Sequence, residues 1–262
     1  MNIIILIALV VVIVYWFIHQ RRIATQAPNP PPNPIPIENL LREHIPFYHK
    51  LNAEHKNSFQ QRVMHFLQHT RFTNVGAARH TLLDEVYIAS AAIIPLFAFP
   101  DWEYRNIREI LLYEGNFDHD YTVDGHSNPI MGMVGDGALN GTMLLSLDAL
   151  RDGFARKDGS NTAIHEFVHL IDKADGSVDG VPEYLIPKSL IAPWLKHIRA
   201  SIQDIHEGDS DINPYGATNE AEFLAVISEY FFEKPDKFNE EHPHLYRMMN
   251  DIFSHRPQKA TD

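Results

Sequence analysis

The 262-residue chain contains no cysteine. That excludes disulfides, a thiolate nucleophile and a Cys-ligated metal, so a metal here would have to be held by His, Asp and Glu. Cations are scarce too. Lys and Arg number 22 against 34 Asp and Glu, giving a formal net charge of −12. Phosphate contacts need clustered Lys and Arg, and no such cluster occurs, so direct nucleic-acid binding drops out of the reading. Internal repeats are absent. Histidine is not: the chain has 16.

The run IIILIALVVVIVYWFI, Ile3 to Ile18, lacks both charge and helix breakers. As a helix it spans about 24 Å, slightly less than a hydrocarbon core of roughly 30 Å. Tyr15 and Trp16 suit the interfacial belt. A cleavable leader would carry basic residues before the run and small residues at a cut site after it. Here Arg21 and Arg22 follow the run instead. The expectation is an uncleaved single-pass transmembrane helix over residues 1–22, in the inner (cytoplasmic) membrane, with the rest of the chain facing the cytoplasm. Prolines at 28, 30, 31, 32, 34 and 36 make residues 23–37 a polyproline spacer. Pro28 to Pro36 would reach roughly 28 Å at about 3.1 Å per residue. A globular domain is expected over 38–256, with a short tail at 257–262.

Within that domain, ENLLREHIPFYHKL and EHKNSFQQRVMHFLQHT repeat apolar residues at three- and four-residue intervals and read as amphipathic helices. AARHTLLDEVYIASAAIIPLFAF reads as a longer and more apolar helix. REILLYEGNF suits a strand, and NPIMGMVGDGALNGTMLLSL reads as strand, turn, strand. PKSLIAPWLKHIRASIQDI, NEAEFLAVISEYFFEKP and a closing EEHPHLYRMMNDIFSHR are further helices. The expected class is α+β: mainly helical, with one small sheet.

NTAIHEFVHLIDKADG, Asn161 to Gly176, carries the chemistry. Asn161 or Thr162 can cap its helix and Gly176 stands beyond its end. Each helical residue advances about 100°, so His165 and His169 lie within roughly 40° of each other and can reach one ion, with Glu166 beside them. This H-E-x-x-H spacing supplies two neutral nitrogen ligands and a carboxylate base for a water. The competing reading, histidines on a solvated face, fits poorly. Ala163, Ile164, Phe167, Val168, Leu170 and Ile171 make the helix apolar nearly all round, and buried polar groups need partners.

A catalytic zinc takes a third protein ligand and keeps one position open. NEAEFLAVISEYFF offers Glu220, Glu222 and Glu229. Glu222 and Glu229 are seven apart and share a face, so spacing leaves either as the ligand; Glu220 reads as a surface acid near a helix start. Asp172, three after His169, either accepts the free N–H of a ligand histidine or bonds backbone and solvent at the helix end. The Asp- and His-rich segment NFDHDYTVDGHSNP, residues 116–129, reads as a solvated loop rather than a second metal site.

From about Leu40 to Phe253 the sequence resembles the Mlc titration factor A family, bacterial zinc-dependent peptidases with a zincin-like core. GTMLLSLDAL, HEFVHLIDKADG, GVPEYLIP and YGATNEAEFLAVISEYFFEKPDKF carry the resemblance. It implies Zn²⁺ bound by His165, His169 and Glu222, Glu166 as general base, and Tyr215 as a transition-state stabiliser. It also implies activity on short peptides or amino-acid amides, in an aminopeptidase-like mode. The alternative it raises is a regulatory protein that sequesters a transcriptional repressor, as the founding member does with Mlc. Two features depart from the family: GALNGTMLLSL replaces the usual Trp and Gly-Pro ahead of the strand before the motif helix, and the membrane anchor is added.

Overall fold

Strand β4 (Thr142–Ser146) lies at the heart of the sheet. It pairs in parallel with β2 (Glu109–Tyr113), which pairs in parallel with β1 (Arg71–Asn74). On its other side β4 pairs antiparallel with β3 (Gly132–Val134), Gly132 opposite Leu145, so β3 is an edge strand. This four-stranded mixed sheet belongs to a chain that is otherwise mostly helical, an α+β fold. The computed structural model describes residues 34–117, 130–135, 140–156 and 158–254. All belong to the second of the two units, 1–32 and 33–262, into which the chain divides.

The first helices are α1 (Pro34–His44), α2 (Pro46–His49) and α3 (Ala53–His69). Helix α1 begins at Pro34, four residues before Glu38 and inside the stretch read as polyproline. The first turn of a helix has no partners for its N–H groups, so Pro34 and Pro36 lose no hydrogen bond there. Helix α4 (Leu82–Leu96) starts later than its apolar pattern, because Thr81 and Asp84 form a reciprocal capping box. Helix α5 (Leu147–Arg156) follows β4 without a turn.

The motif helix α6 (Thr162–Asp172) is capped by Asn161, whose side chain accepts from the Ile164 N–H at 3.2 Å. Helices α7 (Lys188–Glu207) and α8 (Glu220–Glu233) follow. The closing segment is two helices rather than the one expected: α9 (Pro235–Glu241) and α10 (Pro243–Ser254). The break falls at His242, because a residue before proline is pushed out of the helical region.

Helix α6 packs between α4 and α8. Its Ala163, Ile164, Phe167 and Val168 have no exposed surface, nor do Phe223, Leu224, Ala225 and Ile227 of α8. Phe167 meets the Phe66 and Tyr104 rings at 5.6 and 5.2 Å. Truncating such a ring to alanine costs about 3–5 kcal/mol, so the back of the motif helix is firmly seated and only its histidine face is left for chemistry. Among the described residues no helix is long and apolar enough to cross a membrane. The apolar run 3–18, the spacer up to residue 33, residues 118–129 of the Asp- and His-rich loop and the tail lie outside the described residues.

Candidate metal centre

One turn of α6 brings His165 and His169 together, their Nε2 atoms 3.0 Å apart. Helix α8 presents Glu222 from its first turn. Glu222 Oε2 stands 2.9 Å from His165 Nε2 and 3.4 Å from His169 Nε2. Tetrahedral ligands at about 2.0–2.1 Å from zinc lie roughly 3.3 Å from one another. The triangle of two nitrogens and one carboxylate oxygen therefore matches one face of such a site, and the three residues could hold a metal ion. Glu222 gets its place from Asn219, which caps α8 by accepting the Glu222 N–H at 2.9 Å.

Glu229, two turns along α8, approaches the opposite nitrogen: its Oε1 is 2.7 Å from His165 Nδ1. Its Oε2 accepts from the Ser160 hydroxyl at 3.1 Å and from the backbone N–H of Asn161. Spacing left Glu222 and Glu229 equivalent; the crossing of α6 and α8 separates them, one at the Nε2 face and one behind the ring. The Nδ1 of His169 is buried without a hydrogen-bond partner, and so is Asp172 Oδ1. Asp172 is fully buried, and its other oxygen accepts the Gly180 N–H at 2.9 Å.

Gly180 is a fixed point of this architecture. Its φ of +75° is a left-handed conformation, and a Cβ there would lie 2.3 Å from the Glu220 carbonyl oxygen. Its own carbonyl accepts from the Trp194 indole at 2.7 Å. One backbone unit thus bonds the end of the motif helix and α7 while lying close against the start of the Glu222 helix.

The electrostatics of the cluster favour a cation at its centre. Burial works against a charged His165, yet its contacts with Glu222 and Glu229 outweigh it and lift the imidazole to about 10. Burial would raise Glu222, but the two imidazoles hold it down to about 2. Glu166 is 5% exposed and pushed above the usual carboxylate range, chiefly by burial. Asp172 is likewise raised by burial, to about 6, against the Gly180 N–H. Three carboxylates thus stand around two imidazoles, a donor set that a divalent ion could share.

Glu166 lines a cleft of about 950 Å³ whose walls include Met131, Gly132, Lys173, Val178, Tyr215 and Glu220. Glu220, the first residue of α8, lines this cleft but is not in the ligand group. Tyr215 sits in a short 3₁₀ turn, Pro214–Ala217, started by Asn213. Its ring lies 5.9 Å from that of His165 and is 55% exposed. Burial and the negative charges of Glu222 and Glu166 raise its hydroxyl above the ordinary value, so it stays a proton donor. Sequence reasoning had no signal for the contact of Ser160 and the Asn161 backbone with Glu229. It had one for Gly132, a glycine inside a strand.

The chain belongs to the glucose-regulated metallo-peptidase M90 family, matching it over residues 17–254. It is 28% identical over 259 residues to the uncharacterized protein slr2042 of Synechocystis sp., covering 93% of this chain and 90% of that one. It is 29% identical over 238 residues to Mlc titration factor A of Escherichia fergusonii, covering 85% and 86%. The same-named protein of Klebsiella pneumoniae subsp. pneumoniae is 27% identical over 239 residues, covering 85% and 87%. The family is one of metallopeptidases, which agrees with a donor set suited to a divalent metal.

Proposed function

We propose that the chain is a zinc-dependent peptidase of the zincin kind, hydrolysing short peptides in an aminopeptidase-like mode. One observation carries this reading: two imidazole nitrogens and one carboxylate oxygen converge at 2.9, 3.0 and 3.4 Å beside a buried glutamate in a cleft. His165, His169 and Glu222 are the ligands. A zinc ion held by these three would supply Lewis acidity and lower the pKa of a water toward about 7. Glu166, with its raised carboxyl, takes the proton of the attacking water and passes it to the leaving amine. The Tyr215 hydroxyl donates to the oxyanion as charge develops. Glu229 fixes the His165 ring through Nδ1. No such partner is seen for His169: its Nδ1 and Asp172 Oδ1 are both buried without a hydrogen bond.

Glu166→Gln keeps the side-chain shape and all three ligands while removing the base. It should bind zinc, fold and fail to cleave a peptide library that the wild type cleaves. A Gln variant with wild-type turnover would end this mechanism.

The name of the Mlc titration factor A relatives supports a second role, capture of a transcriptional repressor. Repressor binding that survives Glu166→Gln would mean that the two roles coexist. We also propose that residues 3–18 anchor the chain in the inner membrane with the domain on the cytoplasmic side, because Arg21 and Arg22 follow the apolar run. The domain should then resist protease added to intact spheroplasts and be cleaved once they are lysed. Digestion in intact spheroplasts would reverse the topology.

A further inference from the structure

Gly132, in the edge strand β3, lies against the catalytic carboxylate. A Cβ built on it would sit 2.6 Å from both Cγ and Oε1 of Glu166 and 2.9 Å from Cδ. Ordinary carbon contacts are about 3.5–4.0 Å, so any side chain here would drive Glu166 back by about 1 Å. The backbone gives no other reason for glycine. Gly132 is a regular strand residue paired with Leu145 of β4, a conformation that alanine adopts without strain, and glycine in a strand costs stability.

The strand cannot relieve the contact by moving away. The Ser146 N–H donates to the Met131 carbonyl at 2.8 Å and the Gly135 N–H to the Thr142 carbonyl at 2.9 Å. Beyond the strand, Lys173 at the end of the motif helix region donates to the Gly135 carbonyl at 3.1 Å. Pinned to β4 on one edge and to Lys173 at its end, β3 holds its backbone fast against Glu166. The flexible partner in the contact is the glutamate.

We infer that Gly132 is a positioning residue: its bare backbone sets where the Glu166 carboxylate rests, and so where the base meets the attacking water. The inference builds on the proposed role of Glu166. A reacting group misplaced by about 1 Å costs on the order of a hundredfold in rate. Gly132→Ala should therefore lower kcat by about that factor, leave KM within about twofold, and keep zinc content and the visible spectrum of the cobalt-substituted protein unchanged. In a Glu166→Gln background the same change should add less than about twofold. The crystal structure of Gly132→Ala should show the Glu166 carboxylate displaced, a readout independent of turnover. An unmoved Glu166, a wild-type kcat, or a full hundredfold loss on top of Glu166→Gln would overturn the inference. Wild-type turnover in Glu166→Gln alone would instead remove the base assignment, and the crystallographic displacement would still decide the steric claim.

Discussion

Two polar clusters in this molecule each gather side chains around carboxylates, and they balance their charge differently. At Asp211, Oδ2 accepts from the Tyr230 hydroxyl at 2.7 Å and from Lys237 at 2.6 Å, while Oδ1 lies 2.7 Å from His242. One carboxylate meets a lysine, a phenol and an imidazole, and its charge is balanced by the chain itself. At the motif helix Glu166, Glu222 and Glu229 surround two imidazoles, and the groups bonded to the last two are imidazoles, a hydroxyl and a backbone N–H. The first cluster is complete and serves the fold by tying the loop before Tyr215 to α8, α9 and His242. The second has three carboxylates against two imidazoles, and in the proposed reading a metal ion completes it. Buried carboxylates without matching cations cost several kcal/mol each, so the proposed metal would add to what the two imidazoles already give Glu222 and Glu229.

Four substitutions probe this contrast, from the largest expected effect to the smallest. Glu166→Gln should reduce kcat by about 10²–10⁴-fold, the usual worth of a positioned base, with zinc content unchanged by elemental analysis. Tyr215→Phe removes a donor that acts only as charge develops, so kcat should fall about a hundredfold at constant KM; an unchanged kcat would reduce Tyr215 to a rim residue. Glu229→Gln places an amide NH₂ among three donors, from His165, Ser160 and Asn161. Zinc affinity should drop about 10–100-fold in competition with a chromophoric chelator, and an unaltered affinity would contradict its orienting role.

Asp211→Asn should touch only the fold. Asp211 is held below the usual carboxylate range: burial opposes this, but Lys237, Tyr230 and His242 prevail. A folded value below the unfolded one, about 3.9, means that the network stabilises at neutral pH and loses that contribution as pH falls through the acid range. The melting temperature of Asp211→Asn should sit a few degrees below wild type at pH 7, with the gap closing below about pH 4 and zinc content equal throughout. Loss of zinc in this variant would erase the distinction between the clusters.

The same contrast explains what could be read from sequence. The H-E-x-x-H helix was legible because its chemistry is local: one turn sets both histidines on a face, and Asn161 marks the start. The long helices were legible by their apolar period, and the β3–β4 pairing by its intervening turn residues. Strand β1 is four residues without alternation, and α5 follows Ser146 with no turn signal, so neither announces itself. The choice between Glu222 and Glu229 depends on how α8 crosses α6, a tertiary fact that a seven-residue spacing cannot encode. The Asp211 network joins residues 19 to 31 positions apart, and Gly132 meets Glu166 across 34 positions of chain. Such contacts become visible only once the sheet and the helices are assembled.

The central claim is that His165, His169 and Glu222 complete their charge with a zinc ion. Its most direct test is the metal content of the purified full chain and of Glu222→Ala, measured side by side by mass spectrometry. The account predicts about one zinc per wild-type chain and loss of most of it in the variant. A wild-type chain without zinc, or a Glu222→Ala chain that keeps its full complement, would contradict it.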